Sequence, residues 1–122
     1  MKKKLKKGGV VIIEVPHAND FLLDILELGS FKRFTLWSQH LILHTRISLK
    51  AFLKEAGFSN ILIQGVQRYP LSNHLRWIGD KKPGGHKSII SSIDSDELYE
   101  AYENSLQKLD ATDTLVAIAN VE

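Results

Sequence analysis

Two charged or polar side chains stand at the end of the first apolar segment of this sequence. Glu14 and His17 close the β-branched run 10–15, which is nearly continuous in Val and Ile. Such a run is typical of a strand buried on both faces of an α/β sheet. Ligands of open α/β sheets bind just beyond the carboxyl ends of the strands. Glu14 is therefore either a carboxylate at a binding edge or a solvated strand terminus, and its position favours the first interpretation.

A second polar group follows the apolar run 61–66. It is the block Gln67-Arg68-Tyr69-Pro70-Leu71-Ser72-Asn73-His74. One interpretation is a binding loop for an oxygen-rich ligand, with Arg68 facing an anion. The other is ordinary turn chemistry with a capped chain end. The sequence leaves both open.

His40 and His44 lie four residues apart in a region rich in aromatic residues. On a helix they would share a face and could bind a metal ion. The apolar residues between them favour an extended segment, on which they would stand roughly 13 Å apart, so we predict no metal site. His40 is either a general base suited to neutral pH or a histidine hydrogen-bonded inside a packed loop.

The segment 82–86, Lys-Pro-Gly-Gly-His, has the glycines of a phosphate-binding loop. It lacks the Walker spacing and the Lys-Ser/Thr pair, and it does not join a strand to a helix in the predicted order of elements. We assign it no ligand.

The composition is that of one folded domain. The chain has 122 residues, of which 43% are hydrophobic and 25% charged, and it has no cysteine, which excludes disulfides, thiolate metal sites and cysteine nucleophiles. Residues 1–7 form a basic segment that we predict to be a flexible terminus, and residues 8–122 a single α/β domain. The apolar run after the lysines is too short for an export signal, and no segment approaches the roughly 18 apolar residues of a membrane helix. We expect a cytoplasmic protein without nucleic-acid or membrane partners.

Periodicity and punctuation predict three strands and three helices. The strands are predicted at 10–15, 61–66 and 114–121. The helices are predicted from Asn19 or Asp20 to Gly29, from a Ser48 cap to Gly57, and from an Asp94–Glu97 capping box to about Asp110. Residues 30–45 are predicted to be irregular, with an extended piece at 41–44; 69–73 is predicted to be a turn, and 74–86 a long loop.

Several of these motifs together resemble the C-terminal half of class I S-adenosylmethionine-dependent methyltransferases, closest to the bacterial group that modifies sugars and polysaccharides. The resemblance covers almost the whole chain after the lysines. It is carried by Leu5-Lys6-Lys7-Gly8-Gly9 before the first strand, by Glu14-Val15-Pro16-His17, by Trp37-Ser38-Gln39-His40-Leu41, by the Ala-Gly-Phe that ends the second helix, by the block 67–74, by 82–86 and by Thr112-Asp113-Thr114-Leu115.

The resemblance implies a partial Rossmann-like sheet and an acceptor site. The three strands would be the fifth, sixth and seventh of the family, in the order 5-7-6, with the last one antiparallel. His40 would be the base, matching the histidine of a Tyr-x-Glu-His motif in which Gln39 and Trp37 replace the glutamate and the tyrosine. The residues implied to bind the acceptor are Glu14, His17, Gln67, Arg68, Asn73 and His74.

The resemblance also implies what this chain lacks. The family holds S-adenosylmethionine with a glycine-rich turn after its first strand, and the sequence has no Gly-x-Gly-x-Gly motif. We therefore expect no cofactor binding by the isolated chain and no activity alone. The expected function is the acceptor side of a methyltransferase for a sugar nucleotide or a similar small molecule, with methylation on carbon or oxygen left open. The alternative is a non-catalytic module that forms homo-oligomers. The expected partner is thus a second copy or a complementing N-terminal half, because the first strand has an apolar edge.

Overall fold

The computed structural model describes residues 4–36 and 42–121. Within them the chain forms a mixed α/β structure of three strands and four α-helices. In chain order these are β1 (Val10–Pro16), α1 (Gly29–Thr35), α2 (Arg46–Glu55), β2 (Phe58–Val66), α3 (Leu71–Asp80), α4 (Asp96–Lys108) and β3 (Thr114–Val121). A π-helical turn at Phe21–Ile25 precedes α1, and two 3₁₀ turns, Gly85–Lys87 and Ile89–Ile93, lie between α3 and α4.

The sheet has the order β1-β3-β2, and β3 runs antiparallel to both neighbours. The predicted order 5-7-6 with an antiparallel last strand is therefore confirmed, as are all three strands, with β2 three residues longer at its start than predicted. Thr114 at the beginning of β3 pairs with Pro16 on one side and with Val66 on the other. This register places the carboxyl ends of β1 and β2 at the same edge of the sheet, beside the start of β3.

The core lies on one face of the sheet. Leu49 and Leu53 of α2 are 2% and 1% exposed. They pack on alternate residues of the strands: Phe58, Leu115, Ala117, Ala119 and Val121. On the opposite face Val10 and Ile12 remain 57% and 68% exposed. The prediction that β1 is buried on both faces is wrong, because among the described residues α2 covers only one face.

Two helices begin at residues other than the predicted caps. Thr45 caps α2 and exchanges hydrogen bonds with Ser48 in a capping box, so Ser48 is the third helical residue and not the cap. Ser95 caps α4, whereas the carboxylate of Asp94 accepts a hydrogen bond of 2.8 Å from the hydroxyl of Ser72. Asp94, which the sequence pattern predicted to cap α4, instead contacts Ser72 of α3.

The region after β1 also differs from its prediction. Asp20 is a cap as expected, and its carboxylate accepts from the backbone N–H groups of Leu22 and Leu23. The helix that follows is a single π-helical turn, and Gly29 begins α1 where the pattern had it end a helix.

The predicted turn at 69–73 and loop at 74–86 are wrong where α3 occupies them. The buried face of α3 consists of Ser72, Asn73, His74 and Trp77. Three of these four side chains are polar, whereas the apolar residues at helical spacing, Leu71, Leu75 and Ile78, include two that are exposed. The sequence therefore does not indicate which face of this helix is buried. The helix ends at Asp80, and Lys81 caps it with a left-handed φ of 58°.

None of the helices within 4–36 and 42–121 has both the length and the apolar character needed to cross a membrane.

Candidate functional site

A cavity of about 450 Å³ lies at the edge of the sheet where β1 and β2 end and β3 begins. Its walls come from the ends of β1 and β2, the start of β3, and parts of α1 and α3. The polar and aromatic side chains that line it include Glu14, His17, Asp20, Phe31, Phe34, Arg68, Tyr69, Asn73, His74, Trp77, His86 and Asp113.

The structure brings most of the predicted site residues together. Five of the six implied acceptor ligands line this one cavity: Glu14, His17, Arg68, Asn73 and His74. Gln67 lies beside them, 1% exposed, and contacts His74. Their role in binding stays a prediction. His40, the predicted base, lies outside the described residues.

Arg68 and Glu14 form an ion pair at the mouth of the cavity. Both side chains are half exposed, at 50% and 51%, so the pair is screened by water and adds little to stability. The guanidinium thus already has a carboxylate partner from the neighbouring strand end, which the prediction of Arg68 facing an anion did not anticipate.

Asp113 holds the start of the 67–74 block. One oxygen of its carboxylate accepts from the backbone N–H of Arg68 at 2.8 Å and from the hydroxyl of Thr114 at 2.9 Å. The other accepts from the backbone N–H of Tyr69 at 3.1 Å. Burial raises the pKa of Asp113 and these hydrogen bonds offset part of the rise. Asp113 was not predicted to be a site residue. The feature that could have indicated it is an acidic residue directly before β3, which begins between the ends of β1 and β2.

The side-chain amide of Gln67 is the centre of a buried network. Its Oε1 accepts from the backbone N–H of Asp113 at 3.0 Å, which fixes the orientation of the amide. Its Nε2 then donates to the carbonyl of Tyr69 at 2.9 Å and to Nε2 of His74 at 3.3 Å. Because the backbone N–H of Asp113 can only donate, Oε1 of Gln67 must accept from it. Nε2 of Gln67 must then be the donor in the other two hydrogen bonds.

The network sets the tautomer of His74. Since Nε2 of His74 accepts, its proton is on Nδ1, which donates to the hydroxyl of Tyr102. Burial lowers the pKa of His74 to about 4 and raises that of Tyr102 to about 12, so both are neutral near pH 7. With both ring nitrogens engaged, His74 supports the cavity wall and is not placed to move a proton.

His17 differs from His74 in having one ring nitrogen without a partner. Its Nδ1 lies 2.9 Å from the carbonyl oxygen of Thr112, which can only accept, so the proton is on Nδ1. Nε2 is buried and has no hydrogen-bond partner within the described part of the chain. Burial lowers the pKa of His17, the largest effect on it, and the neutral ring therefore keeps a lone pair on Nε2. His17 also pairs with His44 in an isolated parallel bridge, which places the end of the predicted extended piece 41–44 beside β1.

The carboxyl group of Asp20 also lines the cavity. It is 4% exposed, and burial raises its pKa to about 7, against the lowering effect of the backbone hydrogen bond from Leu22. The sequence identified Asp20 only as a helix cap. Its position one turn after the end of β1 brings it into the cavity wall as well.

An aromatic cluster forms the wall contributed by α1 and α3. The ring of Trp77 meets Phe31 edge to face, with centroids 5.2 Å apart, and meets Phe34 at 5.1 Å. Phe34 remains 54% exposed. The cavity therefore combines an apolar wall with the polar residues of the strand ends.

Gly85, the second residue of the pair Gly84-Gly85, packs closely against α3. A Cβ on Gly85 would lie 2.1 Å from the carbonyl oxygen of Ser72 and 2.8 Å from the Cα of Asn73. The close approach lets His86 donate from Nδ1 to the side-chain oxygen of Asn73 at 3.2 Å. The space that a phosphate would need beside Gly85 is thus filled by the first turn of α3.

The comparisons with known proteins leave the family of the chain open. No protein-family model matches it, and no curated protein matches it either. A crystal structure of a SAM dependent methyltransferase from Archaeoglobus fulgidus is similar over 96% of this chain at 20% identity, with a TM-score of 0.46. The chain spans 47% of that protein. A similarity of this strength identifies neither the fold nor the activity.

The residues of this chain do not reproduce the S-adenosylmethionine site of the family that the sequence resembles. The sequence has no Gly-x-Gly-x-Gly motif, the pair Gly84-Gly85 does not follow a strand, and a Cβ on Gly85 would clash with α3. Within the described residues no group of three or more His, Cys, Asp or Glu side chains is placed to hold a metal ion.

Proposed function

We propose that this chain forms the acceptor-binding part of an S-adenosylmethionine-dependent methyltransferase, in which other residues supply the cofactor site. One observation carries the proposal. Strands β1 and β2 end at a shared cavity on either side of an antiparallel β3, the arrangement that the methyltransferase resemblance implies for the acceptor side.

The chemistry of the cavity supports this function. A small acceptor needs a few fixed polar groups to orient it and an apolar wall that excludes water. Asn73 and His17 are 5% and 1% exposed and line the cavity, so their orientation is set by packing. The proposed acceptor is a small hydroxylated molecule of the sugar type. His40 is the proposed base, on the resemblance alone.

The apolar face of the sheet supports a complementing partner. Val10 and Ile12 of β1 and Leu62 of β2 are more than half exposed, at 57%, 68% and 53%. Ile12, Ile118 and Leu62 stand in one row across the three strands. A contiguous apolar face of this kind marks an interaction surface, and in the proposed function it receives the part of the enzyme that binds the cofactor.

The proposal predicts methyl transfer only when both parts are present. We expect this chain, purified together with the polypeptide that carries the cofactor site, to transfer a labelled methyl group to hydroxylated acceptors, and neither part to do so alone. Asn73→Ala should lower kcat/KM at least about tenfold because Asn73 orients the acceptor. Asn104→Ala is the control, since Asn104 is exposed on α4 and outside the cavity. Equal activity of the two variants, or micromolar binding of S-adenosylmethionine to this chain alone by calorimetry, would contradict the proposal.

The same apolar face favours a second function, a non-catalytic module that forms homo-oligomers. Here two copies would cover the row Ile12, Ile118 and Leu62 or pair along the free edge of β1, which has no strand beside it among the described residues.

This second function predicts that a charge on the face separates the copies. Light scattering at micromolar concentration should show a dimer for the natural chain and a monomer for Ile12→Asp, because the buried interface would then hold an unpaired charge. Ile89→Asp is the control, since Ile89 is 86% exposed in a 3₁₀ turn outside the sheet. A natural chain that is monomeric would rule out this function.

A further inference from the structure

We propose that the cavity takes acceptors without a negative charge, and that Glu14 sets this specificity by occupying the guanidinium of Arg68. The proposal rests on the acceptor-binding function above and narrows its acceptors to hydroxylated molecules that carry no phosphate or carboxylate. It also gives Glu14, which the resemblance implies as a ligand of the acceptor, a different role.

The first step is that a ligand can reach the ion pair. Arg68 and Glu14 both line the cavity, and their side chains are 50% and 51% exposed. The contact joins Nη2 of Arg68 to Oε1 of Glu14. Arginine binds a phosphate or a carboxylate through the same N–H donors that it offers to glutamate. An anion that enters the cavity therefore has to compete with Glu14 for this guanidinium.

The second step is the charge of the cavity wall. Arg68 is the only lysine or arginine among the described residues that line the cavity. Glu14, Asp20 and Asp113 line the same cavity with carboxyl groups. The wall thus has three carboxyl groups for one guanidinium. Because like charges repel, such a wall disfavours a second anion beside Arg68 and favours the contact that Glu14 already makes.

The third step is that Asp113 compensates the charge of Arg68 without occupying its donors. Burial raises the pKa of Asp113, and the charge of Arg68 is one of the effects that lower it. The oxygens of Asp113 accept from the backbone N–H groups of Arg68 and Tyr69 and from the hydroxyl of Thr114. Glu14 is therefore the residue whose removal frees the N–H donors of the guanidinium for a ligand.

The fourth step is the surface that remains for a ligand without a negative charge. Phe34 and Tyr69 line the cavity and are 54% and 47% exposed. The apolar face of a ring packs on aromatic side chains and needs no charge to do so. A hydroxylated ring gains this contact while the pair between Arg68 and Glu14 stays intact.

Binding of inorganic pyrophosphate tests the role of Glu14. We expect calorimetry to show that Glu14→Gln binds it at least about tenfold more tightly than the natural chain, because glutamine keeps the shape and removes the competing charge. Glu55→Gln is the matched control. It makes the same change in net charge at an exposed position at the end of α2, outside the cavity, and should bind pyrophosphate as the natural chain does. Equal affinities of Glu14→Gln and the natural chain would overturn the proposal.

A double variant that combines Glu14→Gln with Arg68→Gln locates the gain in affinity. We expect the gain to disappear, because no guanidinium is left to bind the anion. Lys82 and Lys87 flank the wall segment 83–86 without lining the cavity. A gain that persisted in the double variant would mean that the anion binds elsewhere, for example beside these lysines, and would overturn the proposal. Both substituted side chains are half exposed, so we expect the variants to fold.

Two sugars separate this proposal from the acceptor-binding function. Methyl β-D-glucopyranoside and glucose 1-phosphate share a ring and differ in charge. We expect the natural chain to bind the glucoside at least about tenfold more tightly than the phosphate, and Glu14→Gln to close this gap. Tighter binding of the phosphate by the natural chain would overturn the proposal and leave the acceptor-binding function standing. If neither sugar binds, the proposed function loses its sugar-type acceptor, and the pyrophosphate comparison still decides the role of Glu14.

Discussion

Gln67→Leu should lower the free energy of unfolding by about 3 kcal/mol. The substitution leaves a backbone N–H at Asp113, a carbonyl at Tyr69 and a ring nitrogen at His74 without the partner that each now has. A buried polar group that loses its partner costs about 1–3 kcal/mol, and water can reach part of this set because Tyr69 is exposed. Small domains have only about 5–15 kcal/mol of stability, so the loss is a large fraction of the total. Urea denaturation followed by circular dichroism measures it.

Gln64→Leu is the matched control for this prediction. Gln64 lies in β2, three residues before Gln67, with its side chain exposed. We expect its unfolding free energy to change by less than about 0.5 kcal/mol. NMR should also show that His74 loses its fixed Nδ1–H tautomer in Gln67→Leu and keeps it in Gln64→Leu. Equal stabilities of the two variants would mean that the Gln67 amide does not join the strand end to α3.

The strands were predictable because their signal is local. The runs 10–15 and 114–121 are rich in β-branched and apolar residues, and β3 alternates between buried and half-buried positions along its whole length. The order of the strands came from the resemblance and not from periodicity, since no pattern within a strand states which neighbour it pairs with. The extent of burial was wrong for β1, because burial depends on which helices lie on each face of the sheet.

The helix α3 shows where local patterns fail. Its buried side chains are partnered by distant parts of the chain: Ser72 by Asp94, Asn73 by His86, and His74 by Gln67 and Tyr102. Each polar residue is stable inside only because a partner from another element meets it. A prediction that expects apolar side chains at the buried positions of a helix therefore assigns this segment to a turn and a loop. The same partners fix Asn73 and His74 in the wall of the candidate site. The buried polar contacts that make this wall rigid are therefore also the reason why α3 was predicted to be a turn and a loop.

The site itself was predictable in location and less so in chemistry. The ends of β1 and β2 identified five residues that the cavity brings together. Asp20, Asp113 and the aromatic wall were not identified as site residues. Asp113 was quoted only within a motif, Asp20 only as a cap, and the wall depends on α1 and α3, whose extents were not predicted. The ion pair between Arg68 and Glu14 was also missed, because it joins strand ends 54 residues apart in sequence.

Asp20→Asn should stabilise the protein at pH 8 and have little effect at pH 4. Burial raises the pKa of Asp20 from 3.8 to about 7 in the folded state, so the folded protein binds this proton more tightly than the unfolded chain. The stability that the protonated carboxyl contributes is complete below about pH 4 and is lost as the pH rises to about 7. At 1.36 kcal/mol per pKa unit the loss is on the order of 4 kcal/mol. Asparagine has the same shape, is an equally good helix cap and carries no charge, so the variant escapes this loss.

The stability of Asp20→Asn must be compared with that of the natural chain at each pH. The reason is that the titration of His74 changes the stability of the folded protein with pH in the opposite direction. Burial lowers its pKa from 6.5 to about 4, so its contribution to stability is lost as the pH falls through that range. In the natural chain the two effects oppose each other between pH 4 and pH 6.5, and the total stability conceals both. Asp20→Asn removes one of them. Its stability should therefore decline on acidification more steeply than that of the natural chain.

Urea denaturation of both proteins at pH 4, 6 and 8 checks this prediction, and Asp24→Asn is the control. Asp24 lies in the same π-helical turn and is exposed, so its substitution should change stability by less than about 0.5 kcal/mol at each pH. A gain for Asp20→Asn that is equal at pH 4 and pH 8 would show that charge is not the cause. A carboxyl group that destabilises the folded protein at neutral pH and lines a cavity is expected where a ligand uses it, because stability and binding place different demands on the same residue. Because burial raises its pKa, the carboxyl group of Asp20 can carry a proton in the folded protein, and a protonated carboxyl group can donate as well as accept a hydrogen bond.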